Sequence, residues 1–250
     1  AAVAVEVYRV AEPLTGRGAA LGAAARSLCF GAFAWFAGSG METMGLAWAM
    51  TRSVRLLSEH AEATVHERTP ARALSLALTA SLAPLFRPEG AAIALLVAVG
   101  LVIFPARPSA AETRLPRAIG RRLWALVALV GAFLVPAINL VATGSARSNT
   151  AMVKCAYGNP YFPFERFVRY SLGNVEMLLT ELLTGGPYTA VFLPKHAEIA
   201  FLLGALALPL LAYWEKKPAR AVAIALFALG TLIPCTFLTI LWNRVRYIWP

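Results

Sequence analysis

The sequence predicts an all-α protein: a polytopic transmembrane helix bundle with short paired helices and an amphipathic helix on its outer face. Three observations support this prediction. Hydrophobic residues make up 59% of the 250 residues, charged residues make up only 14%, and the mean hydropathy is +0.64. The apolar residues fall into blocks separated by short arginine-rich segments. Several blocks approach the roughly 20 residues that a helix needs to cross a bilayer core.

The candidate spans are, in chain order, residues 21–38, 41–57, 122–142, 197–214 and 221–242. Between the second and the third lies an apolar segment, 73–104, which is interrupted only at 87–90. Its arms, 73–86 and 91–104, are shorter than a typical span. We therefore expect two half-depth or strongly buried helices that meet at Arg87, Pro88 and Glu89.

Arg87 and Glu89 are costly in such surroundings. An ionised side chain at the centre of a bilayer costs about 2.5–3.5 kcal/mol, so it is retained where it faces a cavity, a partner or a membrane surface. Two explanations remain open. The pair can belong to a functional site, or it can form a salt bridge that fixes a tight turn, with Pro88 breaking the helix.

The distribution of cations predicts the orientation. If Glu42 and Glu89 lie on one side, the connections alternate, and about fifteen of the 23 lysines and arginines fall in short loops on the other side. An excess of cations in short loops marks the cytoplasmic side. The outer side then holds the long segment 143–195, in which residues 164–183 have the apolar spacing of an amphipathic helix at a membrane surface.

Four polar clusters share this outer face: residues 39–43, 87–90, 148–154 and 243–247. Glu42 and Glu89 can accept hydrogen bonds from sugar hydroxyls. Cations can bind a phosphate, and arginine favours bidentate contacts; the candidates are Arg87, Lys154, Arg244 and Arg246.

Each candidate also has a structural explanation. Glu42 can be a helix N-terminal residue that the macrodipole favours. Asn149 and Lys154 can be solvated loop residues, and Arg246 can reach lipid headgroups from a helix end. Glycoside hydrolysis by Glu42 and Glu89 is formally possible, because glycoside hydrolases usually act through two carboxyl groups.

The composition and order of the clusters resemble the polytopic GT-C glycosyltransferases over nearly the whole chain. Residues 40–43, Gly-Met-Glu-Thr, are similar to a Gly-hydrophobic-Glu-Thr signature, and residues 87–90, Arg-Pro-Glu-Gly, to the short-helix turn that follows it. Residues 149–154 resemble an Asn-Thr-x-x-x-Lys segment, and residues 246–250 an Arg-Tyr-x-x-Pro segment. The pattern is most similar to bacterial arabinofuranosyltransferase-like and mannosyltransferase-like members.

The resemblance implies transfer of a sugar from a polyprenyl-phosphate donor to a cell-envelope glycan or lipid acceptor. It places the reaction on the non-cytoplasmic face of the bacterial inner membrane. A base deprotonates the acceptor hydroxyl, which attacks the anomeric carbon, with inversion, as the polyprenyl phosphate leaves. The residues implied for donor and substrate binding are Glu42, Arg87, Glu89, Asn149, Lys154, Arg246 and Tyr247. No cofactor is required, although a divalent metal is compatible with them.

The chain departs from the family pattern in its acidic residues. All thirteen are glutamate, whereas the family's catalytic base is typically an aspartate in the first outer loop. The chain also starts without methionine, at Ala1. We therefore expect a fragment that forms a single transmembrane domain, 1–250, with its catalytic residue upstream.

The main alternative is a non-catalytic membrane subunit that uses the same scaffold for assembly or lipid binding, with other membrane subunits as partners. A transporter is the third reading. Nucleic-acid binding is excluded, because the net charge of +10 is not arranged as a basic stripe interleaved with aromatics. We expect His60 and His66 to lie in a solvated cytoplasmic connection, and the three cysteines show no disulfide or zinc spacing.

Overall fold

The computed structural model describes residues 1–29, 37–38, 42–64, 67–104, 115–146, 156, 164–184 and 195–237. Across these residues the protein is all-helical and contains no strand, as the sequence predicts. The helices are α1 (Ala2–Thr15), α2 (Arg17–Cys29), α3 (Thr43–Glu62), α4 (Pro70–Phe86), α5 (Gly90–Ile103), α6 (Leu115–Thr143), α7 (Phe167–Met177), α8 (Ala197–Trp214), α9 (Pro218–Gly230) and α10 (Ile233–Phe237).

Within the described ranges, two helices are long and apolar enough to cross a membrane. They are the Leu123–Thr143 part of α6 and the whole of α8, Ala197–Trp214, with mean hydropathies of 2.4 and 1.7. They coincide with the predicted spans 122–142 and 197–214, and these two predictions are confirmed as long apolar helices. Little of either helix is buried inside the protein.

Helix α3 extends beyond the predicted span 41–57. Helix α3 continues to Glu62, because the helical hydrogen bonds persist, and the Ser58 hydroxyl donates to the Val54 carbonyl at 2.7 Å. His60 is buried on this last part of the helix, so it does not belong to a solvated connection. Arg55 accordingly lies within the helix rather than near its end.

The predicted span 221–242 is not one continuous helix. Helix α9 ends at Gly230, a turn follows at Thr231 and Leu232, and α10 begins at Ile233. Residues 238–242 lie outside the described part of the chain. In the predicted span 21–38, residues 30–36, after the end of α2, also lie outside it.

The predicted hairpin of short helices is confirmed. Helix α4 has Pro70 at its first turn, after Thr69, whose hydroxyl accepts the Arg72 backbone N–H at 3.3 Å. A tight turn then leads into α5, and the Gly90 N–H donates to the Arg87 carbonyl at 2.8 Å. A Cβ atom on Gly90 would overlap the Ala83 carbonyl, so the turn requires glycine at this position.

Helices α3 to α6 and α9 surround the main core, in which small residues fill the contacts. Alanines on all five of these helices are fully buried: Ala49, Ala80, Ala94, Ala128 and Ala223. Gly131 of α6 lies directly against Ser81 of α4, and its N–H donates to the Ser81 hydroxyl at 2.9 Å. Many large apolar side chains instead point outward, including those of α6 and α8.

The amphipathic helix predicted over 164–183 is confirmed as helical. A 3₁₀ turn, Phe164–Arg166, leads into α7, and a π-helical turn, Leu178–Leu182, follows it. Val168 and Leu172 are exposed one turn apart, whereas Leu178 and Leu183 are buried. Helix α7 packs against α10, and Asn174 donates to the Cys235 carbonyl at 2.9 Å.

Candidate functional site

Glu42, Arg87 and Glu89 form one cluster, which we call the triad. The Arg87 Nη1 donates to Glu42 Oε1 at 2.9 Å, a contact between residues 45 positions apart in the chain. The Arg87 Nε and Nη2 atoms donate to the two carboxylate oxygens of Glu89, each at 3.3 Å. The sequence predicted that these residues share one face, and among the described candidates the structure brings all three together.

Each triad residue lies at a helix end that favours its charge. Glu42 is the N-cap residue of α3 and Glu89 that of α5, whereas Arg87 is the C-cap residue of α4. A helix N-terminus carries a partial positive charge and a C-terminus a partial negative charge. The three helix ends therefore stabilise the two carboxylates and the guanidinium in the places where the turn brings them into contact.

Burial differs sharply within the triad. The exposed fraction of the side chain is 6% for Arg87, 10% for Glu89 and 49% for Glu42. Each of the three guanidinium nitrogens donates to a carboxylate, and the side chain is almost fully buried, which limits the access of a phosphate to Arg87. The accessible group is the Glu42 carboxylate, which can accept hydrogen bonds from hydroxyls, and the triad carries one net negative charge.

The other predicted site residues lie outside the described part of the chain. They are Asn149, Lys154, Arg246 and Tyr247, together with the neighbouring candidate Arg244. Their roles, and the shared rim predicted for the clusters 148–154 and 243–247, stay predictions.

The structure also reveals an ionic network that the sequence reasoning missed. Glu6 of α1 is buried and accepts from Arg55 Nε at 2.6 Å and from Arg52 Nη1 at 3.1 Å. Arg52 additionally donates to the hydroxyls of Ser75 and Thr79 on α4, each at 3.2 Å. The signal was available, because arginines three residues apart lie on the same helix face and Glu6 interrupts an apolar stretch.

Glu6 lies outside the candidate spans and remains a strong acceptor. Burial alone would raise the pKa of Glu6, but the hydrogen bonds and charges of Arg55 and Arg52 outweigh it and hold the pKa below 4.5. The network therefore stays ionised near neutral pH and ties α1 to α3 and α4.

The described residues contain no group of three or more histidine, cysteine or acidic side chains that could hold a metal ion. In the triad, both carboxylates already bind the Arg87 guanidinium, which takes the place that a cation would occupy.

Comparison of the chain with protein-family models, with curated proteins and with solved structures finds no match in any of the three.

Proposed function

We propose that this chain is part of a multi-pass GT-C-type glycosyltransferase of the bacterial inner membrane. It takes a sugar from a polyprenyl-phosphate donor on the non-cytoplasmic face and passes it to a cell-envelope glycan or lipid. In this proposal the triad lines the donor site, the Glu42 carboxylate accepts sugar hydroxyls, and Arg87 and Glu89 hold Glu42 in place.

The membrane placement rests on which side chains face outward. Large apolar residues such as Leu126, Phe133 and Leu206 are exposed, whereas small residues fill the helix contacts. In water such a surface would be costly, since monomeric soluble proteins rarely expose large contiguous apolar patches. In lipid it is favourable, and small residues let neighbouring helices approach closely.

One observation carries the proposal: Glu42 and Arg87, which belong to two of the four clusters behind the resemblance, form an ion pair at 2.9 Å. Their convergence supports the assignment of both to one outer rim. A shared donor site requires this proximity, because hydroxyl acceptors have to lie around one sugar.

The second candidate is a non-catalytic membrane subunit with the same scaffold. The pairing of Arg87 with two carboxylates favours it, since a guanidinium that donates to both also holds three helix ends together. The two functions differ at Glu42. A donor site needs its exposed carboxylate, whereas a clamp depends mainly on the buried contact between Arg87 and Glu89.

The test is sugar transfer in proteoliposomes by protein expressed from its complete reading frame, with a radiolabelled polyprenyl-phosphate sugar and an envelope-glycan acceptor. We expect Glu42→Gln to lower turnover at least about tenfold, the effect of losing roughly 1.4 kcal/mol of transition-state stabilisation. His60→Ala, far along α3 from Glu42, is the matched control and should retain activity.

Equal turnover of Glu42→Gln and wild type, with measurable transfer, would contradict the role of the triad. Saturable donor binding without any transfer would favour the non-catalytic subunit instead.

A further inference from the structure

A second polar cleft lies between α1, α3 and α9, away from the triad. Its walls carry Arg9 of α1, Arg55 and Glu59 of α3 and Arg220 of α9. The apolar side chains Leu14 and Ile224 line the same cleft. The backbone N–H of Arg220 donates to Glu62 at 2.9 Å, which fixes the start of α9 against the end of α3.

Arg220 is the residue in this cleft whose guanidinium has no partner among the described residues. Its side chain is partly buried, and its guanidinium makes no hydrogen bond or ion pair with a described residue. A partly buried cation without a counter-charge loses hydration that no described residue replaces. An anion bound from outside the protein would offset that loss.

The charges around the cleft leave room for an anion. Arg55 is already engaged by Glu6 and by Glu59, at 2.6 and 2.8 Å, so the negative charge of Glu59 is compensated. Arg9 contacts Glu6 only at 3.5 Å, and its side chain is half exposed at the mouth of the cleft. Arg9 and Arg220 are therefore the cations with capacity for an added acceptor.

The residues around the cleft indicate that the acceptor belongs to a lipid at the membrane surface. Leu14 and Ile224 pack with Ala212 near the end of α8, and the next residues, Tyr213 and Trp214, are exposed aromatics. Exposed tyrosine and tryptophan at the end of an apolar helix are typical of the membrane–water interface. The enclosed part of the cleft is about 20 Å³, enough for one water-sized group such as a phosphate oxygen.

We propose that this cleft binds the phosphodiester of an anionic phospholipid, with one phosphate oxygen accepting from the Arg220 guanidinium and the headgroup resting against Arg9. Basic pockets between helices on the cytoplasmic side are suited to such headgroups. This site is independent of the proposed sugar transfer, because it uses none of the triad residues.

The test is lipid binding by the purified chain in detergent, measured by native mass spectrometry with dioleoyl phosphatidylglycerol and with dioleoyl phosphatidylcholine. We expect preferential retention of phosphatidylglycerol. Arg220→Gln should weaken its binding about tenfold, the loss of one charge-assisted contact, and Arg9→Gln about threefold. Arg220→Lys should fall between wild type and Arg220→Gln, since it keeps the charge and loses the guanidinium fork.

The matched control is Arg17→Gln, because Arg17 has a side chain 87% exposed and does not line the cleft. Its phosphatidylglycerol binding should equal that of wild type. The proposal is overturned if Arg220→Gln and Arg9→Gln bind this lipid as wild type does, or if Arg17→Gln weakens it equally. If millimolar inorganic phosphate displaces the lipid, the site takes free phosphate and the lipid assignment is wrong. If Arg220→Gln fails to fold, phosphatidylglycerol binding by Arg9→Gln, at a half-exposed position, decides whether the proposal stands.

Discussion

Replacing Arg87 by methionine tests the triad most sharply, because the three side chains differ in burial. The guanidinium contacts Glu89, which is almost buried, and Glu42, which is half exposed. Removing one partner of a buried ion pair costs about 3–5 kcal/mol, because the remaining charge is left uncompensated. An exposed pair contributes at most about 1 kcal/mol. We therefore expect Arg87→Met to lower the free energy of unfolding by about 3–4 kcal/mol.

The partner variants give the internal comparison. Glu42→Gln should cost at most about 1 kcal/mol, since its side chain is solvated. The double variant Arg87→Met with Glu89→Gln should be more stable than Arg87→Met alone, because no unpaired charge remains buried, with a coupling energy of about 2 kcal/mol.

The assay is equilibrium unfolding in mixed micelles, in which sodium dodecyl sulfate is titrated into a mild detergent and tryptophan fluorescence is followed. Five proteins are compared at one pH and one salt concentration: wild type, Arg87→Met, Glu42→Gln, Glu89→Gln and the double variant. A cost below about 1 kcal/mol for Arg87→Met, together with additive double-variant energies, would refute the buried ion pair.

Three other regions give independent predictions. Glu6→Gln should destabilise the protein by about 2–3 kcal/mol at pH 7. Because the pKa of Glu6 is lowered, its ionised carboxylate stabilises the wild type above pH 4.5, and this stabilisation is lost as the pH falls through the folded pKa. The stability of Glu6→Gln against thermal unfolding should therefore not show this loss in acid. Gly131→Ala should cost about 1–3 kcal/mol in the same unfolding assay, because its Cβ would overlap Ser81, whereas Gly204→Ala meets no atom within 4 Å and should be neutral or slightly stabilising. Phe133→Arg, at a side chain 69% exposed in the middle of α6, should cost about 2.5–3.5 kcal/mol of membrane insertion in a glycosylation-mapping assay, and an unchanged inserted fraction would count against α6 as a span.

The periodicity and length of apolar runs predict much of the fold. The hairpin arms, the two long apolar helices and the helix over 164–183 follow from patterns of nearby residues, and the proline-glycine turn at 87–90 separates the hairpin arms clearly. The end of α3 could not be predicted in this way. Polar residues such as Ser58 and His60 resemble a loop in the sequence, but they continue the helix because neighbouring helices bury them.

The candidate site, like the fold, is predicted from the sequence only in part. The sequence predicts the shared face of Glu42, Arg87 and Glu89, since alternating connections bring their helix ends to one side. It does not predict that both carboxylates accept hydrogen bonds from the Arg87 guanidinium, because these contacts depend on burial and on the geometry of the turn. The Glu6 network was missed for a related reason, since its partners are 46 and 49 positions away in the chain.

The most direct test of the proposed site is photocrosslinking in native membranes with a polyprenyl-phosphate sugar that carries a diazirine on the sugar, followed by peptide mapping. We predict labelling of peptides around Glu42 and Arg87 that unlabelled donor suppresses and that Glu42→Gln reduces. Donor-suppressible labelling confined to the cleft of Arg9 and Arg220, or no saturable labelling at all, would contradict a donor site at the triad.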